Sequence, residues 1–279
     1  MARDFAGSGA GTYISCGATN DSAFLSFTVA CWFQLDAKVT NNDRLMSRWG
    51  ANGNKARYLF RAADTLTINI VTNNGGAGAS NAGTTTLVAD GRWYHGAAVF
   101  QSGGASSLSV YLNGVADTAT SIFPGTGTID TGPAGGTYDL RIGADPDSGD
   151  YGIDGRIAEA AVWTAALSDP EILALGKGVL PSQIRPDACA GYWPLWGVAS
   201  PEPDLEPNSN TRYNGTVTGS AAANHAPVGR LPRSFWLPSS VIAAPTSNIK
   251  TIMGVFYPSN VKTIEGLAQA STKTVLGLA

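Results

Sequence analysis

The chain has 279 residues, a formal net charge of −3, 14% charged and 43% hydrophobic residues, and 34 glycines. That balance describes a polar, turn-rich β protein rather than a helical or disordered one, long enough for one large β domain or two small ones. With lysines and arginines scattered, no basic footprint for nucleic acid exists; no apolar run is long enough for a membrane span, and MARDFAGSGAG lacks the apolar stretch of a Sec signal.

Phe27 to Leu35 alternates, with Phe27, Val29, Cys31, Phe33 and Leu35 on one side and Thr28, Ala30, Trp32 and Gln34 on the other, the pattern of a strand with one face in a core. Similar runs recur at 43–49, 57–62, 65–71, 93–100, 107–112, 138–143 and 155–163, separated by clusters of Gly, Asn, Asp and Ser. Many short strands at that spacing predict a two-sheet sandwich or a barrel. Asn73-Asn74-Gly75-Gly76 marks a loose connection, whereas Asn113-Gly114 supplies the positive φ values of a tight hairpin.

One helix is expected, capped by Ser168, opened by Asp169, Pro170 and Glu171, and stopped at Gly176 or Gly178; it is expected to plug one end of the sandwich. Tyr192–Trp196 and Tyr213–Thr218 read as late strands returning to the same sheets. From Gly229 the text becomes rich in proline and serine without sustained alternation, which puts the boundary near residue 245. The division is then a domain with its linker over 1–244 and a tail over 245–279.

In order along residues 3–220, the phrases RDFAGSGAGTYISCG, FTVACWFQLDA, DGRWYHGAAVF, LSVYLNGV, LRIGADPDSGDYGIDGRIAEAAVWTAALSDPEI and PEPDLEPNSNTRYNGTVTG carry a resemblance. The chain resembles the laminin-G-like and pentraxin-like modules of the concanavalin A-like lectin/glucanase superfamily. The resemblance implies an all-β, two-sheet antiparallel jelly roll with one short helix, to which the C-terminal extension is added. Function does not follow, because the fold hosts very different activities.

Superfamily members that cleave β-glucans carry Glu-x-Asp-x-Glu on a strand, and Glu202-Pro-Asp-Leu-Glu206 matches that spacing. Prolines at 201, 203 and 207 and a position after the helix argue against a catalytic strand, so no catalytic residue is assigned. Asp145, Asp147, Asp150 and Asp154 crowd one loop with hard oxygen ligands, and laminin-G-like modules often bind calcium at the sandwich rim. A calcium loop and a polar hairpin using Asp for its turns both remain open, and no cofactor is required. Cys16, Cys31 and Cys189, odd in number and widely spaced, read as buried reduced thiols. His95 and His225 stand apart from any nucleophile, and Trp32, Trp93 and Trp163 read as sheet packing.

The chain closes on three similar phrases, Lys250-Thr-Ile, Lys262-Thr-Ile and Lys273-Thr-Val, each followed two residues later by glycine, with lysines 12 and then 11 residues apart. Such units gain an interior only by stacking on neighbours or other chains. Ile252, Ile264 and Val275 are then the inward positions, and Gly254, Gly266 and Gly277 the corners; a terminus without fixed structure is the alternative. The phrase is similar to tails of bacteriophage virion proteins. The resemblance implies a non-enzymatic, lectin-like structural protein on the virion exterior, a capsid decoration or appendage component, whose partners are its own copies and other virion proteins. The other reading is a carbohydrate-binding module acting in adhesion to host or matrix glycans.

Overall fold

The structure, a computed structural model, describes residues 2–7, 11–17, 26–37, 43–48, 58–62, 68–74, 77–101, 107–117, 139–145, 151–197, 200–207, 212–228, 263–264 and 267–268. The chain divides into two compact units, Met1–Gly229 and Arg230–Ala279. Along the first run β1 (Ala2–Ala6), β2 (Tyr13–Ser15), β3 (Phe27–Leu35), β4 (Arg44–Arg48), β5 (Tyr58–Ala62), β6 (Ile68–Asn74), β7 (Ala77–Ala82) and β8 (Trp93–Gln101). Then come β9 (Ser107–Leu112), β10 (Val115–Ala116), β11 (Arg141–Ile142), β12 (Asp154–Trp163), helix α1 (Asp169–Gly176), β13 (Cys189–Trp193), β14 (Thr216–Thr218) and β15 (Ala221–Ala223).

Two sheets form. The larger, of eight strands, runs β10-β9-β8-β3-β12-β1-β15, with β13 also paired to β12; the smaller, of seven, runs β14-β2-β11-β4-β5-β6-β7. The pairings of these sheets are antiparallel. The expected jelly-roll sandwich is therefore present. Phe27, Val29, Cys31, Phe33 and Leu35 of β3 join Ile14, Met46, Phe60 and Ile142 of the smaller sheet in one buried cluster. Full burial of each large side chain contributes about 1.5–3 kcal/mol relative to exposure, so this interface dominates the fold. Phe27 stacks on Tyr58 and Phe100 at 5.3 and 5.7 Å between centroids, tying the two sheets together.

The second face of β3 is buried too, contrary to the half-buried expectation. Ala97, Ala30 and Ala161 lie abreast on β8, β3 and β12, and this low strip receives Ile172 and Leu175 of α1. The helix thus covers the outer face of the larger sheet rather than plugging an end of the sandwich. Alanines made this possible: a flat patch of methyl groups lets a helix approach where larger side chains would hold it off. Its start is fastened as the sequence suggests, with the Glu171 carboxylate accepting from the Ser168 N–H at 2.7 Å and from Arg185 Nη2 at 2.6 Å.

Asn113 and Gly114 have φ of 53° and 83°, as the tight β9–β10 turn requires. At β6–β7, Asn74 pairs with Ala77, while Gly75 and Gly76 of the expected connection lie outside the described residues. Strand β11 is shorter than its predicted run, and β1, whose Arg-Asp pair hides its alternation, was absent from the expected strands.

In the second unit, β16 (Thr263–Ile264) pairs antiparallel with β17 (Leu267–Ala268). Ile264 of the middle repeat is thus in a strand. Ile252, Gly254, Gly266, Val275 and Gly277 lie outside the described residues.

Candidate functional site

Across the smaller sheet, Thr216, Ser15, Arg141 and Ser47 stand abreast on β14, β2, β11 and β4. Their chain neighbours Val217, Ile14, Ile142 and Met46 pack into the core, so strand alternation turns this row to the opposite, outer face. Ser15 Oγ donates to Asp139 at 2.9 Å. Tyr13, two residues before Ser15, carries the Arg141 guanidinium 4.2 Å above its ring. Arg141 Nη1 in turn donates to the Asp145 main-chain oxygen at 3.1 Å, and Arg44 Nε donates to the Asp145 carboxylate at 3.2 Å. Arg44 sits 4.5 Å from the ring centre of Tyr151, which is 36% exposed.

Tyr13, Arg141, Asp145, Arg44 and Tyr151 thus form a continuous ladder of ring, cation, anion, cation and ring beside a row of hydroxyls. Cation–π contacts are worth about 0.5–1 kcal/mol when exposed and more when desolvated, enough to fix ring orientation. Ser47 is fully buried, with its hydroxyl donating to the Ala144 carbonyl at 2.8 Å, and Arg44 and Asp145 hold each other beneath the surface. The two rings, the Ser15 and Thr216 hydroxyls and the half-buried Arg141 guanidinium are therefore the groups that suit a ligand combining an apolar face with hydroxyl groups. Sequence reasoning flagged only Asp145 here. The alternation of Tyr-Ile-Ser and Leu-Arg-Ile was a usable signal, but pairing β2 with β11 needs the fold.

Of the four aspartates read as a calcium loop, Asp145 is buried at 3% exposure and committed to Arg44. Asp154 opens β12 and stands among other charges, with Arg156 lying 3.9 Å from Asp4 and 3.4 Å from Asp36. Burial raises the Asp4 carboxyl above its usual range against the pull of Arg156, and Asp36 and Asp154 add to the rise. Asp147 and Asp150 lie outside the described residues. Among the described residues no group of three or more His, Cys, Asp or Glu is placed to hold a metal. A carboxylate already taken by a guanidinium is a poor start for a calcium cage, which needs six to eight free oxygens.

The Glu202–Glu206 motif is turned inward. Glu202, Asp204 and Glu206 are 1%, 3% and 2% exposed. Glu202 pairs with Arg3 at 2.6 Å and accepts from the N–H groups of Trp196 and Gly197 at 3.1 and 2.8 Å. Asp204 accepts from the N–H groups of Tyr192, Glu206 and Tyr213 at 3.0, 3.0 and 3.1 Å. These carboxylates stitch β1, β13 and the approach to β14 together, which is a structural use of the spacing that glucanases use for catalysis.

Sequence reasoning also passed over Glu159. It sits at φ 52° where the β12–β3 register shifts, 4% exposed, accepting the Tyr192 hydroxyl hydrogen and lying 2.9 Å from His225 Nε2. His95 is 2% exposed, its ring 5.4 Å from that of Trp32, and burial pushes its pKa down to about 3. The three cysteines are free and buried, and burial drives the Cys31 thiol up and that of Cys189 to about 12, so both are held as inert thiols. Trp163 and Trp193 are fully buried, Trp32 is 8% exposed, and Trp196 is 43% exposed; Trp49 and Trp236 lie outside the described residues.

Among solved structures, the chain is similar to a proposed carbohydrate-binding protein from Bacteroides ovatus, with 22% identity and a TM-score of 0.59 over 82% of this chain and 61% of that one. It thus spans about three fifths of that protein's length, and at this identity the likeness concerns the fold alone. A heptameric SAP-like pentraxin from Limulus polyphemus matches with 16% identity and a TM-score of 0.46, covering 63% of this chain and 81% of that one. The CBM40 of a Ruminococcus gnavus IT-sialidase, bound to α2,3-sialyllactose, matches with 15% identity and a TM-score of 0.46, covering 56% and 84%. No curated protein matches the chain. The family profile matches residues 8–173, more than half of the sequence, and agrees with the observed sandwich: the chain belongs to the concanavalin A-like lectin/glucanases superfamily.

Proposed function

We propose that this chain is a non-enzymatic carbohydrate-binding module whose ligand lies across the outer face of the smaller sheet. The observation that carries the reading is the ladder from Tyr13 through Arg141, Asp145 and Arg44 to Tyr151, set beside the hydroxyls of Ser15 and Thr216. It offers ring faces for a sugar's C–H surface and polar groups for its hydroxyls. Membership of the superfamily and the fold shared with the Bacteroides ovatus protein support it. The inward-turned Glu202–Glu206 motif supports a binding rather than a hydrolytic role, because its carboxylates are occupied by Arg3 and backbone N–H groups. A glycan array with the full chain, beside Tyr13→Ala and Arg141→Ala, tests the proposal. Saturable binding lost in both variants supports it; binding unaffected by either, or turnover of a glucan, overturns it.

The terminal repeats favour a narrower reading of where such a module is displayed. In it the chain is a virion structural protein, a capsid decoration or appendage component on the particle exterior, joined to its own copies or to other virion proteins through the tail. The antiparallel pair in the middle repeat supports this, since two-residue strands gain stability only by adding neighbours. Light scattering after size exclusion compares the full chain with a truncation after Gly229. A defined oligomer that becomes a monomer on truncation supports assembly through the tail; two monomers overturn self-association.

A further inference from the structure

The candidate face carries one acid that the ladder leaves out. Asp139 stands two residues before Arg141, and its Oδ2 accepts the Ser15 hydroxyl hydrogen at 2.9 Å. Ser15 is in register with Arg141 across β2 and β11, and Tyr13, two residues before Ser15, lies under the Arg141 guanidinium. Carboxylate, hydroxyl and guanidinium thus belong to one patch of the outer face.

Each of the three has bonding capacity left. Asp139 Oδ1 has no partner among the described residues and is not shut away from water. Arg141 Nη1 gives a hydrogen to the Asp145 main-chain oxygen, and Nε is shut in without an acceptor, which leaves Nη2 as the open arm of the fork. Among the described residues no carboxylate pairs with that guanidinium. The Ser15 hydrogen is taken by Asp139, so its oxygen has only lone pairs to offer.

Acceptors at Asp139 and Ser15 therefore stand beside donors at Arg141. A ligand carboxylate or sulfate would satisfy Arg141 but would bring a like charge next to Asp139, and an ammonium group would satisfy Asp139 but face Arg141 with the same repulsion. A hydroxyl group both gives a hydrogen and accepts one, and it carries no charge. Two of them on adjacent carbons satisfy both sides at once.

We propose, on the carbohydrate-binding reading of this face, that Asp139 and Arg141 together bind adjacent hydroxyls of an uncharged sugar unit. One hydroxyl donates to Asp139 Oδ1, and its neighbour accepts from Arg141 Nη2. Asp139 thereby sets specificity, selecting neutral sugars over those that carry uronate, sialate or sulfate groups.

The full chain is put on a glycan array where neutral hexose oligosaccharides stand beside the same chains carrying uronate, sialate or sulfate groups. It is expected to bind a neutral glycan saturably and at least about tenfold more tightly than the charged counterpart, with little change in affinity between about 0.1 M and about 1 M salt. A deoxy analogue lacking one of the two hydroxyls is expected to bind about tenfold more weakly. Asp139→Asn keeps the size and, through its carbonyl, an acceptor for Ser15, but puts a donor where the second oxygen stood. Its affinity for the neutral glycan is expected to fall by about tenfold or more, and its discrimination against charged glycans to shrink, which a merely structural role would not cause. If that variant does not fold, the preference of the unaltered chain and the deoxy analogue decide. A preference for charged glycans, or an Asp139→Asn chain with unchanged affinity and preference, overturns the paired-hydroxyl site while the carbohydrate reading stands, provided Tyr13→Ala still loses the ligand. A full chain that binds no glycan at all overturns both.

Discussion

His95 is the buried group whose protonation the fold opposes most plainly, and it sets a stability cost on acidification. Its ring is 2% exposed against Trp32, and Nδ1 has no hydrogen-bond partner among the described residues. Burial holds its pKa at about 3, whereas in the unfolded chain it titrates near the ordinary value of about 6.5. The unfolded state therefore takes a proton that the folded state refuses throughout that window. The contribution is fully present above the unfolded value and is lost as pH falls toward the folded one, by at most about 1.4 kcal/mol per pH unit. Between about pH 7 and about pH 5 the loss from this residue is about 2 kcal/mol. His95→Phe keeps a ring on Trp32 and removes the titrating nitrogens. Urea unfolding followed by tryptophan fluorescence at both pH values gives four free energies by linear extrapolation. The drop on acidification should be smaller in the variant by about 2 kcal/mol, the other titrating groups cancelling in the comparison. An equal drop in both proteins would refute the argument that burial keeps this ring neutral.

Arg3→Met leaves the Glu202 carboxylate buried without its cation, and urea unfolding should register a loss of about 3–5 kcal/mol. Gly176→Ala would ordinarily stabilise a helix by about 1 kcal/mol, but here the added Cβ lies 2.5 Å from the Gly114 nitrogen. The sign should reverse, with a thermal shift reporting a net loss of about 1–3 kcal/mol. Asn113→Ala should cost stability for a different reason: φ of 53° disfavours a Cβ without a local hydrogen bond, and the His95 N–H loses its 3.0 Å bond to Asn113 Oδ1. A thermal melt reads that loss as well.

Much of the fold was legible because strand alternation and turn chemistry are local. Phe27 to Leu35 declared its inward face, Asn113-Gly114 its turn and Ser168 to Glu171 its helix start, each through the conformational preferences of neighbouring residues. The outer face of β3 was not legible. Ala30 and Trp32 look like solvent-side residues until α1, Ala226 and Val228, more than a hundred residues away, are folded over them. The candidate site was legible in one residue of five. Asp145 attracted notice as an acid in a loop, but Tyr13, Arg44, Arg141 and Tyr151 acquire meaning only when the strands and loop that carry them become neighbours.

The Glu202–Glu206 segment divides the two kinds of information most clearly. By itself the sequence determined the class of fold and, through its prolines, that this acidic segment forms no strand. Only the tertiary structure decided what the carboxylates do: Glu202 meets Arg3 from the opposite end of the unit, and Asp204 collects three backbone N–H groups. Alternation and turns depend on covalent neighbours, which a sequence records. The partner of a buried charge depends on which distant residue the packed sheets bring within about 3 Å, and that is fixed only when water has been excluded from the core.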